Sequence, residues 1–128
     1  MAKKPITIDY LIEIVDAFNR QDVDAIASYF AEDGQFLTAR GPHGFGDRLT
    51  GPKAIRDYLA RRYESIPDMR WEDEVHFVSG TRALSEWTVK GTMKSGEKID
   101  WRGCDVWDFD DHGKIKVKDT YWKYVERR

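Results

Sequence analysis

Apolar residues recur at Ile8, Leu11, Ile12, Val15 and Phe18, the three- and four-residue spacing of one helix face. Thr7 or Asp9 is placed to cap that helix, and Asn19-Arg20-Gln21-Asp22 breaks the pattern. Asp22 suits the cap of a second helix whose face carries Val23, Ile26, Ala27 and Phe30, ended by Glu32-Asp33-Gly34. Gln35–Ala39 reads as a short strand. Arg40–Gly51 holds four glycines and a proline and reads as the longest irregular loop. Pro52 fits the first turn of a third helix, which runs to about Tyr63 with Ala54, Ile55, Tyr58 and Leu59 turned inward.

Beyond the Ile66-Pro67-Asp68 turn the period changes from helical to alternating. Arg70–Val78, Arg82–Thr92, Lys98–Phe109 and Lys114–Val125 are rich in Val, Ile, Thr and aromatic residues. Ser79-Gly80, Lys94-Ser95-Gly96 and Asp110-Asp111-His112-Gly113 separate them as hairpin turns. Three helices, an early strand and a four-strand meander make an α+β plan: a long curved antiparallel sheet wrapped around N-terminal helices. The 128 residues have the length of one domain, 1–128, with no linker or repeat.

Composition sharpens this picture at two points. Five Trp, six Tyr and six Phe are many for this length, and most of the Trp fall in the strands. Aromatics suit a sheet core, yet rings with polar handles in such numbers point to a cavity that takes a small organic molecule. The net charge of −2 is spread evenly, without the basic block that grips a phosphate backbone, so nucleic acid is not an expected partner. Cys104 is the sole cysteine, no segment approaches a membrane span, and the basic start Met1-Ala2-Lys3-Lys4-Pro5 lacks the apolar run of a signal peptide. A cytoplasmic protein is expected, with neither a membrane nor a disulfide.

Alternation places Asp105, Trp107 and Phe109 on one strand face, a carboxylate among rings. Such a group is either functional or paired with a base, Lys123 or Arg82. On the last strand Asp119, Tyr121 and Lys123 share a face opposite Lys118, Thr120, Trp122 and Tyr124. If the first set points inward, Tyr121 could donate to an oxyanion and Lys123 act as a base. His76 alternates with Trp71, Asp73, Val75 and Phe77 and shares its face with two acids, the solvent side. Imidazole suits proton transfer, but His76 reaches a ligand only if the strand bulges or its register flips. Trp71, Trp87, Trp107, Phe18, Phe36, Thr38 and Tyr58 are the expected substrate-binding wall. Trp87 faces in rather than Glu86, and His43, Arg40 and Phe45 form a loop that could close the mouth.

Other chemistries find no support. Asp108–Gly113 with Asp119 half resembles a calcium loop, but His112 and Asp119 stand where oxygen and Glu ligands belong, and strands flank it. There is no zinc spacing, phosphate loop or Gly-x-Ser-x-Gly elbow, so no cofactor or metal is expected.

The order of elements, with Ala17–Ile26, Tyr29–Gly34, Leu49–Arg56 and Gly103–Ile115, resembles the nuclear transport factor 2-like superfamily. Within it the chain is similar to SnoaL-like and ketosteroid isomerase-like proteins. The resemblance implies a cone-shaped, cystatin-like barrel, a homodimer formed through the outer sheet face with Trp101 and Trp122 exposed there, and cofactor-independent acid–base chemistry. The reactions in view are those of isomerases, cyclases and lyases on a small apolar carbonyl compound. It places Asp105 where these proteins carry an acidic pocket residue, able to donate a proton or hydrogen bond. The isomerase base corresponds to Thr38 and the oxyanion tyrosine to Ile14, so both of those groups are replaced. Lys123 stands where epoxide hydrolases of this fold carry an aspartate. A non-catalytic binding module for a hydrophobic metabolite, or a dimeric accessory domain, is the alternative.

Overall fold

The computed structural model describes residues 4–126 and 128, so Met1, Ala2 and Lys3 of the basic start lie outside the described residues. Helix α1, Ile8–Asn19, is capped by the Thr7 side chain, which accepts from the Tyr10 N–H. Its inward stripe is Leu11, Ile14, Val15 and Phe18, whereas Ile8 and Ile12 are exposed. The face is rotated from the one expected because Ile14 and Ala17, not Ile8 and Ile12, meet the sheet. Asp22 caps α2, Val23–Ser28, by accepting from the Ala25 N–H. Pro52 opens α3, Pro52–Ser65, which buries Ile55, Leu59 and Tyr63 but leaves Ala54 exposed.

Six strands form one curved, unclosed sheet: β1 Phe30–Leu37, β2 Arg48–Thr50, β3 Arg70–Ser79, β4 Arg82–Thr92, β5 Lys98–Phe109 and β6 Ile115–Trp122. Their order is β2-β1-β6-β5-β4-β3, antiparallel throughout except where β1 runs parallel to β6. Two features depart from the expected layout. The first strand begins at Phe30 rather than Gln35, and the loop contains the short β2. Gly34 is the reason Glu32-Asp33-Gly34 sits in a strand: a Cβ there would stand 2.6 Å from the Ile115 carbonyl oxygen, where β1 shifts register against β6. The hairpin turns hold Gly80, Gly96 and Gly113 at positive φ.

The helices pack into the concave face, and the core runs from Leu11, Ile14 and Ile26 to Trp107, Phe109 and Ile115. Two tyrosines bind it together through backbone carbonyls. Tyr10 donates to Gly113 O at 2.6 Å and Tyr63 to Phe18 O at 2.8 Å. Burial raises both phenols, Tyr10 to about 12. No helix among the described residues is long and apolar enough to cross a membrane.

Candidate active site

The curvature leaves a cavity of about 190 Å³ between α1, α3 and the inner sheet face. Phe18, Phe36, Tyr58, Trp71 and Trp87 form its aromatic wall, and Thr38 lies beside them. The rings meet largely edge to face: Trp71 stands 5.6 Å from Phe18 and 6.5 Å from Trp87, centroid to centroid. Trp107 lies one layer deeper, lining a small hollow behind Trp87.

Asp105 is inward-facing, at 4 % exposure, and does not itself line the main cavity. One carboxylate oxygen accepts from Lys118 Nζ at 2.8 Å and Thr120 Oγ1 at 2.6 Å; the other accepts from Trp87 Nε1 at 2.9 Å. The pairing base is therefore Lys118, not Lys123 or Arg82. On β6 Lys118 and Thr120 are buried and Trp122 is half-buried, while Tyr121 is 55 % exposed. The inward set is thus the opposite of the one that would bring Tyr121 and Lys123 to the ligand. The pairing register explains it, because Asp105 sits across from Thr120.

Lys118 does line the cavity. Its Nζ also donates to Thr120 Oγ1 at 2.8 Å and lies 3.9 Å from the Phe36 ring centre. Burial pushes the ammonium below the ordinary lysine range, and Asp105 pulls it partly back. Two of its three donor positions serve Asp105 and Thr120, which leaves the third toward Phe36 and the cavity. In the neutral amine that third position is a lone pair.

His76 is buried, against the solvent side expected of it, because β3 bulges. Register shifts between Glu72 and Val75, and Asp73 adopts φ 56°. The extra residue lets both Trp71 and His76 turn inward. His76 Nδ1 meets Ser85 Oγ at 2.7 Å and Nε2 meets Glu74 Oε2 at 2.6 Å, while Trp107 Nε1 donates to the same Ser85 Oγ at 2.9 Å. This chain of polar groups braces Trp107 from behind and does not line the cavity.

The structure leaves the remaining candidates apart. Tyr121 donates to Asp119 at 2.9 Å on the outer face, and Lys123 is exposed. Trp122 does not form an outward patch. It lines the cavity mouth, 5.1 Å from half-buried Trp101. In the 40–47 loop His43 and Phe45 stack on each other, and Arg40 reaches the mouth. Lys118, Thr120 and Arg62 are not among the site residues expected from the sequence, and Arg40 is expected only as part of the closing loop; the one signal for Lys118 is its alternation with Thr120 on a strand beside Asp105. Among the described residues no three His, Cys, Asp or Glu side chains converge to hold a metal ion.

An aromatic cavity in the mouth of a cone formed by a curved sheet and three helices defines the nuclear transport factor 2-like class. Residues 11–117 match the family model of the SnoaL-like domain, and the chain belongs to that family. A candidate polyketide cyclase from Xanthomonas campestris pv. campestris is similar at 27 % identity over 88 % of this chain and 87 % of that one, with a TM-score of 0.77. The epoxide hydrolase/cyclase-like enzyme SalBIII, of pyran ring formation in salinomycin, shares the fold at 20 % identity, 90 % and 88 % coverage and a TM-score of 0.75. So does a ketosteroid isomerase-like protein from Catenulispora acidiphila solved with trimethylamine, at 17 % identity, 94 % and 88 % coverage and a TM-score of 0.76. No curated protein matches the chain by sequence.

Proposed function

We propose that this single SnoaL-like domain is a cofactor-independent acid–base enzyme of the isomerase, cyclase or lyase type. It takes a small, largely apolar carbonyl compound into the aromatic cavity and moves a proton on it. The observation that carries this reading is Lys118, a buried amine at the cavity wall with a carboxylate behind it. As neutral amine it accepts a proton from the carbon beside the substrate carbonyl. The ammonium so formed lies against Asp105, which holds its position and charge while Thr120 and Trp87 fix the carboxylate. The same ammonium returns the proton to a second carbon or to oxygen.

The test follows deuterium exchange beside the carbonyl of cyclic ketones in heavy water. Wild type promotes exchange, and the rate climbs with pH as Lys118 loses its proton. Lys118→Met abolishes the protein-dependent rate, and full exchange in that variant sinks the assignment. One observation favours a binding module instead: both Asp105 oxygens already accept hydrogen bonds from their own neighbours. Ketone binding without exchange in the wild type selects that reading.

The protein works as a homodimer in the same proposal. Phe77, 54 % exposed, pairs across the outer face with half-buried Leu84 and then Val106, and exposed Val75 lies nearby. This apolar row supports face-to-face pairing. Phe77→Glu is expected to halve the mass seen by light scattering; an unchanged mass counts against this interface.

A further inference from the structure

We infer that the substrate is an anion: a carbonyl compound of about one ring or a short branched chain whose carboxylate is held at the cavity mouth by Arg40 and Arg62. The carbonyl end of this statement rests on the acid–base reading above; the carboxylate end stands on separate observations.

The first is the charge of the lining. Arg40, Arg62 and Lys118 line the cavity, and no Asp or Glu does. Lys118 is balanced by Asp105. The two arginines are not balanced. Among the described residues neither forms an ion pair or a side-chain hydrogen bond; Arg48, Arg61, Arg82 and Arg102 also hold no carboxylate, but of the unpaired arginines only Arg40 and Arg62 line the cavity. In a chain with 23 acidic residues, two guanidinium groups without partners on one cavity are an arrangement in want of an anion. Beyond Arg40 the neighbouring groove carries Glu97 and Lys123, one of each sign.

The second is position. Arg62 is half-buried in the last turn of α3, with its guanidinium 5.8 Å from the Trp122 ring centre. Arg40 follows β1, where Thr38 Oγ1 donates to its carbonyl at 2.7 Å and accepts from the Asp47 N–H, fixing the backbone from which it projects. Planar guanidinium forks match a carboxylate with paired hydrogen bonds. The third is size. A cavity of about 150 Å³ admits benzene, so the 190 Å³ here leaves room for a ring and a short arm. With cations at the mouth and Lys118 on the wall, the ligand is oriented carboxylate outward and carbonyl inward.

The test measures affinity by tryptophan fluorescence and calorimetry for phenylacetate, hydrocinnamate and cinnamate, each beside its neutral amide. Wild type is expected to bind at least one carboxylate about tenfold or more tightly than its amide. Arg62→Gln removes that preference while amide binding persists, and Arg62→Lys keeps part of it. Arg40→Gln, at an exposed loop position, lowers the preference without touching the core. A panel in which no carboxylate outbinds its amide, whether both bind or neither does, overturns the inference. So does a preference that survives both Arg→Gln changes. Proton exchange is read independently: lost exchange with the preference intact removes the acid–base reading alone, and the reverse removes this one alone.

Discussion

Replacing Lys118 by methionine is expected to lower the unfolding free energy by about 3–5 kcal/mol, because it strands a buried carboxylate without its cation. Asp105 is 4 % exposed, and Thr120 and Trp87 supply hydrogen bonds but no charge. Adding Asp105→Asn to Lys118→Met removes the stranded charge, and the double variant should recover most of the loss. The double variant separates this from simple loss of packing, and pH reports a different quantity, the cost of burying the ammonium. Lys118 in the folded chain titrates below its ordinary value of 10.5, so between that lowered value and 10.5 the unfolded chain binds more protons. Stability contributed by this group therefore rises with pH across that window, and below it the cost of burying the ammonium is present in full. Tyr10, raised from 10.0 to about 12, works in the opposite sense above pH 10, so the quantity to follow is wild type minus Lys118→Met. Denaturant midpoints over a pH series measure it. A single variant as stable as wild type, or a double no better than the single, refutes the account.

Gly103→Ala should cost up to about 3 kcal/mol and disturb the cavity at a distance. An added Cβ would stand 2.4 Å from the Tyr121 carbonyl oxygen and 2.8 Å from two carbons of the Trp87 ring. The carbonyl belongs to the paired strand β6 and cannot swing away. The ring is pinned at its other end by the bond from Nε1 to Asp105. Removing glycine's unfolded-state freedom returns only about 0.4–1 kcal/mol, so the clash wins. Tryptophan fluorescence should shift together with the thermal midpoint. If stability falls and the spectrum does not move, Trp87 is not being displaced.

The helices were legible because their signals are local: Thr7 and Asp22 cap by side chains one turn away, and Pro52 sets its own φ. The long hairpins were legible because Gly80, Gly96 and Gly113 mark their turns. What escaped was facing. Alternation counts residues, and one inserted residue at Asp73 reverses every side chain after it, which is how His76 came to be buried beside Glu74 and Ser85. On β6 both faces carry polar and aromatic groups, so hydrophobicity did not choose between Lys118 with Thr120 and Asp119 with Tyr121. The choice is made by register against Asp105, a contact 13 residues away in sequence. Arg40 and Arg62 come to one cavity from a loop and a helix, and no spacing rule joins them.

The bulge has a partner at the same edge of the sheet. The Asn19 amide donates to the Trp71 carbonyl at 3.0 Å and its oxygen accepts from the Trp71 N–H at 2.8 Å, as a neighbouring strand would. A side chain from α1 thus occupies the place of a seventh strand, and the kink at Asp73 interrupts the row of free backbone groups next to it. Strand addition at an open edge repeats without limit and leads to fibres, whereas contact through a sheet face closes after two copies. Here one carboxamide and one surplus residue blunt the β3 edge against strand addition, and the same two features seat Trp71 in the cavity wall.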